Sequence, residues 1–291
     1  FRRVLFRSDE LYSNLYAAVS LSKTDLLTEM VYEFTELQGV MGYYYALEMG
    51  KNRDIAVAIK EQYMPLGEDS ELPSTHTGAL MSLTTKFDTL LGLFSIGKIP
   101  TGSKDPFALR RMASGIIRIM IDKEYHFEMN GLLRFLAKQY NNCDIEHVKN
   151  FMNDRLVKIL DVNPSLINAV LATGESDYTN IAKKVTVLES FTARSDFDEI
   201  QSTFRRVANI TKELDLTTLR INRRLFEESA ENALFDKFSA IKEEEPRALL
   251  EALAALKPEL DAFFDKVMVN AEDQMIKKNR QSLVGSIYAR F

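Results

Sequence analysis

The sequence predicts an all-α fold in two helical units, and three observations carry that expectation. From Leu11 onward apolar residues recur three and four apart, as in Val19, Leu26, Met30, Val31 and Phe34, which places them on one side of a helix. No segment sustains the apolar–polar alternation of a half-buried strand. The 291 residues, 46% of them hydrophobic, exceed what one core usually serves.

Taken in order, Gly39, Gly42 and Gly50 punctuate the early helices, residues 65–77 form the longest loop-like stretch, and residues 79–94 resume the helical pattern. Pro100, Thr101, Gly102 and Ser103 make a turn-rich loop. Asp105 then reads as an N-cap and Pro106 as the first helical position. Behind them Leu109, Met112, Ala113, Ile116, Ile117 and Met120 share an apolar face, with Arg111 and Arg118 opposite. The first unit is expected to end near Tyr140, with Asn141 and Asn142 as the joint, giving units 1–140 and 141–291. Helices follow over 145–160, 164–171, 179–192, 198–214 and 222–241, then a final pair broken near Lys257 and Pro258. Leu260, Phe264, Val267, Met268, Ala271 and Met275 are read as the inward stripe of that pair.

A net charge of −5 gives no general attraction to nucleic acid, so RNA contact requires local basic patches. Two exist. Lys98, Lys104, Arg110, Arg111 and Arg118 face Asp105 alone over 97–118, and six basic residues over 203–224 meet only Glu213 and Asp215. The lone Cys143 excludes an internal disulfide and cysteine-rich zinc sites. No apolar run approaches a membrane span, and residues 1–8, FRRVLFRS, are too short and charged for a signal peptide. A soluble protein is expected. That octet joins poorly to the residues after it, and the last helical pattern meets Phe291 without a stop signal, so a fragment with a non-native start is expected.

Catalytic constellations are weak. Gly97 to Lys104 nearly matches a phosphate-binding loop but reverses its end, GSK for GK, and lacks a preceding strand. His76, His126 and His147 are scattered, and Cys143 beside His147 lacks a third orienting group. Asp25, Glu29, Glu33 and Glu36 lie on or near one helix without histidine companions. The segment FRRVANITKEL, residues 204–214, buries Phe204, Val207 and Ala208 and aligns Arg205, Asn209 and Lys212 on an adjoining stripe. Such donors suit phosphates and unpaired bases.

Four phrases then converge: EFTELQGVMGYYYA at 33–46, FDTLLGLFSIGKIPTGSKDPFALRRMASGIIRI at 87–119, FRRVANI at 204–210 and FFDKVMVNAEDQMIKKNRQSL at 263–283. Together they closely resemble the β-subunit family of bacterial glycyl-tRNA synthetases. The resemblance implies an α subunit that activates glycine with ATP and magnesium, and a β subunit that binds and positions tRNA(Gly). No catalytic residue and no cofactor would then belong to this chain. Its partners would be the α subunit and tRNA(Gly), not DNA or a membrane, and its compartment the cytoplasm.

The resemblance further implies an HD-like helical domain over 1–140 and a DALR-like anticodon-binding domain over 141–291. The HD signature is degenerate here. No His-Asp dipeptide occurs, Gln62 stands where the family often has histidine, and Thr84 and Thr85 precede KFD where Ala-Asp is common. Asp25 and Asp88 are read as remnants of that site, with no metal expected, since two carboxylates hold one weakly. The expected tRNA contacts are Arg205, Arg206, Asn209 and Lys212, followed by Asn279 and Arg280, then Lys104, Arg110 and Arg111. Two alternatives accompany this reading: an HD-type metal phosphohydrolase, and an assembly scaffold that never touches RNA.

Overall fold

The computed structural model describes residues 9–290; the first octet and Phe291, on which expectations about the chain ends rest, lie outside them. Among the described residues the fold is all-α, with no strand and one isolated bridge between Thr101 and Lys104. No helix there is long and apolar enough to cross a membrane. The chain divides into two compact units, one ending at Val185 and the other beginning at Thr186. Asn141 and Asn142 fall inside the first.

In the first unit α1 (Asp9–Leu21), α2 (Glu29–Glu33), α3 (Val40–Glu48), α4 (Arg53–Glu61) and α5 (His76–Ser95) come first. Helix α4 is the hub, packed on α1, α3 and α5. Asn52 fixes its start by accepting from the Ile55 amide at 2.9 Å. Its far end carries Glu61, which accepts from the Ser74 amide at 2.9 Å and from Thr75, the N-cap of α5. Gly78 is required beneath it, because a Cβ there would stand 1.9 Å from Glu61 Oε2.

Next come α6 (Leu109–Asp122), α7 (Met129–Ala137), α8 (Ile145–Leu160) and α9 (Pro164–Ala172). Helix α6 buries Leu109, Ala113, Ile116, Ile117 and Met120 between α5 and α8, as its period predicts. Its start differs from the expected one. Residues 105–108 form a turn closed by the Ala108 amide on the Asp105 carbonyl at 3.1 Å, and Ala108 takes φ 56°, so the helix begins three residues after Pro106. Asp105 still caps it, accepting from the amides of Leu109 and Arg110 at 2.8 and 2.9 Å.

Helix α10 (Tyr178–Thr192) contains the division between the units. The second unit continues with α11 (Phe197–Thr211), α12 (Ser229–Ser239), α13 (Pro246–Ala254), α14 (Lys257–Lys266) and α15 (Gln274–Arg290). Its core gathers Ile200, Phe204, Val207, Leu234, Leu253, Leu260, Phe263, Leu283 and Val284. The expected continuous stripe into the last helix is broken, because α14 stops at Lys266 and residues 267–273 are non-helical. Phe263 is therefore fully buried while Met268 and Met275 are exposed.

Candidate nucleic-acid interface

Helix α11 separates its two faces sharply. Ile200, Thr203, Phe204, Val207 and Thr211 are buried, whereas Arg205, Arg206, Asn209 and Lys212 are exposed. Arg205, Asn209 and Lys212 follow one another by four and three positions, so they share a stripe one turn apart. Arg205 leans back on Gln201, donating to its Oε1 at 3.3 Å. Arg206 sits on the neighbouring stripe with its guanidinium 4.4 Å from the ring centre of Phe264 in α14. Beside it Asp261 is held by Thr203 at 2.8 Å and Lys257 at 3.0 Å. Burial pushes that carboxyl up, yet Lys257 and Thr203 outweigh it and keep the group below its ordinary range.

The structure places Asn279 and Arg280 elsewhere. Both are buried, Arg280 with 5% of its surface exposed. Its guanidinium donates to Glu231 Oε1 at 2.9 Å, Glu227 Oε2 at 2.9 Å and the Met268 carbonyl at 3.2 Å. Glu231 also accepts the amides of Glu227 and Glu228, both at 2.8 Å. Burial alone would raise its carboxyl, but Arg280 and these amides hold it below the usual value. Asn279 is paired in both directions with the backbone of Asn222, at 2.7 and 3.1 Å. These two buried residues fasten the segment before α12 to α15, and the hydrogen bonds they make are internal to the second unit.

In the first unit α6 spends its arginines on loops. Arg110 donates to the Gly102 carbonyl at 2.6 Å and Arg111 to that of Leu66 at 3.2 Å. Arg118 holds the carbonyls of Gly67, Glu68 and Ser70. Lys104 keeps an exposed side chain at the bridged turn with Thr101.

The two carboxylates read as remnants of a metal site have unrelated partners. Asp25 is 1% exposed, and its Oδ2 accepts the amides of Gly39 at 2.7 Å and Gly42 at 3.2 Å. Asp88 is exposed on α5 and takes the Tyr140 hydroxyl. Gln62 Nε2 donates to the carbonyls of Ser22 at 2.5 Å and Ile59 at 2.8 Å. The histidines are equally dispersed: His76 meets Tyr125, His126 meets Asp177 and His147 stands edge-on to Phe94. Among the described residues no three His, Cys, Asp or Glu side chains converge as a metal would require.

One residue of consequence escaped the sequence pattern. Lys86 is 5% exposed, and its ammonium donates to the carbonyls of Tyr63 at 3.1 Å and Met64 at 2.8 Å and to Ser82 Oγ at 3.1 Å. It lines a cavity of 180 Å³ with Gln62, Thr85 and Arg111. Burial lowers its pKa to about 8. A lysine between Thr85 and Phe87 in an apolar helix was the available signal.

A family model described as glycyl-tRNA synthetase beta subunit matches residues 3–172. Proteins named glycine–tRNA ligase beta subunit are similar over most of the chain. The one from Helicobacter pylori (strain G27) is 40% identical over 94% of this chain and 41% of its own length. That from Janthinobacterium sp. (strain Marseille) is 40% identical over 93% and 41%. That from Pseudomonas aeruginosa (strain LESB58) is 37% identical over 96% and 43%. The chain thus spans about two fifths of the length of these relatives, 41% to 43%. With a family match over more than half its residues, the chain belongs to the glycyl-tRNA synthetase beta subunit family.

Proposed function

We propose that this chain is the tRNA-contacting, non-catalytic part of a glycine–tRNA ligase, and that it helps present tRNA(Gly) to an α subunit that carries out ATP- and magnesium-dependent glycylation. The observation that carries this reading is the exposed stripe Arg205, Asn209 and Lys212 on a buried-backed helix, in a chain of this family. Arginine and lysine one turn either side of an asparagine grip phosphates and leave the amide for a base edge. Arg206 adds charge from the next stripe, its guanidinium already oriented by Phe264. Lys104 is a secondary contact from the first unit.

The test is tRNA(Gly) binding by the double variant Arg205→Ala/Lys212→Ala at two or more salt concentrations. Removing one phosphate-binding side chain lowers the log–log salt slope by about 0.7 to 0.9. The variant should bind more weakly, and its slope should fall by about 1.5. Unchanged affinity and slope would refute the assignment of the stripe.

A further inference from the structure

The cavity beside Lys86 brings two cations together in the first unit with no acid on its wall. Its 180 Å³ are lined by Lys86, Thr85 and Thr89 of α5 and by Arg111 of α6, and among the described residues none of the lining side chains is a carboxylate. Lys86 is fixed in place. Its ammonium donates to two carbonyls and the Ser82 hydroxyl, and its stem occupies space that Gly115 leaves free, since a Cβ there would stand 2.9 Å from Lys86 Cε. Arg111 stands at the exposed edge, where it donates to the Leu66 carbonyl at 3.2 Å and makes no other hydrogen bond among the described residues. Most of its donor fork is open.

The acids on the surrounding elements do not cancel this charge. Glu61 is held by Ser74 and Thr75, Asp88 by Tyr140, and Asp105 by the first amides of α6. Asp25, whose charge reaches Tyr63, ties the amides of Gly39 and Gly42, and Asp122 pairs with Lys123. On the loop after Leu66, Glu68 pairs with Lys158, Asp69 and Glu71 are exposed to water, and Arg118 holds the loop by its carbonyls. A cation buried against neutral oxygens carries a desolvation penalty, which an anion placed beside it offsets. A phosphate group suits the wall, because its oxygens match a guanidinium fork and flanking hydroxyls. Size narrows the choice further: the cavity falls below the roughly 300 to 1,000 Å³ of sites for drug-sized ligands, so it holds one phosphate group and not a whole nucleotide. We propose that this cavity binds a phosphate group through Arg111, the threonine hydroxyls and the fixed charge of Lys86. The group is carried by a small phosphate monoester or by an RNA backbone.

The test is calorimetry on the chain near neutral pH with inorganic phosphate, AMP and, at matched ionic strength, chloride. Phosphate and AMP should bind saturably and chloride should not. Arg111 is exposed, so Arg111→Gln should unfold at the parent temperature while binding phosphate at least tenfold more weakly, and Arg111→Lys should recover part of the loss. Lys86→Met should weaken binding too, with thermal unfolding checking that it folds. Arg205→Ala/Lys212→Ala should bind phosphate as the parent does. Titration of tRNA(Gly) separates the two sources. If phosphate lowers tRNA affinity more than matched chloride does, and Arg111→Gln lowers it without phosphate, the group is an RNA phosphate; if neither happens, it belongs to a small phosphate compound. Absence of saturable phosphate and AMP binding overturns the site, as does binding that either folded variant keeps at the parent value. Neither result touches the stripe on α11.

Discussion

Lys86 shows how one buried charge writes itself into the pH profile of stability. Its three oxygen partners are all neutral, so no carboxylate offsets the loss of water. With a folded value of about 8 against 10.5 in the unfolded chain, the folded state holds this proton less tightly. Where the unfolded state binds more protons, stability rises with pH. Below pH 8 the full penalty, about 3 kcal/mol, is present, and it is relieved as pH climbs toward 10.5. Replacing Lys86 by Met should remove that rise. Denaturant unfolding of parent and variant at pH 7.5 and 10 checks this, with the difference between them shrinking at the higher pH. Parallel curves would mean that Lys86 titrates normally.

At the scale of elements, α6 illustrates how a cap works from a distance. Asp105 stands four residues before the helix, yet its two carboxylate oxygens take the first two amides, while Arg110 and Arg118 tie the same helix to loops on either side. Asp105→Ala would leave both amides to water. We expect a loss of about 1 kcal/mol, visible as a lower unfolding midpoint, with Asp105→Asn, which keeps only one acceptor oxygen for the two amides, falling between the parent and Asp105→Ala. The sequence showed the cap and the apolar face but not the true start. Pro106 satisfies a first helical position and a turn equally well, and only the φ of Ala108 separates the two.

Across the whole molecule, helices were legible because period and caps are local properties, while the fate of polar residues was not. Arg280 and Asn279 lie in the polar string KKNRQS, where nothing distinguishes a surface donor from a buried one. Their partners Glu231 and Asn222 are 49 and 57 residues away in sequence. The α11 stripe was legible because its apolar face fixes, by elimination, what points outward. Arg280→Ala would strand Glu231 without its counter-ion, which typically costs about 3 to 5 kcal/mol. Because each unit has its own core, hydrogen exchange in that variant should accelerate first in segments beyond Thr186, with α4 and α6 keeping their protection. Equal acceleration in both units would show them to be one cooperative body.

Helix α10 carries a practical consequence for anyone who wishes to separate those cores. The division after Val185 falls inside the helix Tyr178–Thr192, so cutting there severs hydrogen-bonded turns and gives each half a frayed, partly apolar end. A cleaner gene boundary keeps all of Tyr178–Thr192 with whichever half is expressed. A protease cleavage site meant to divide the chain belongs in the non-helical residues 193–196 just beyond it.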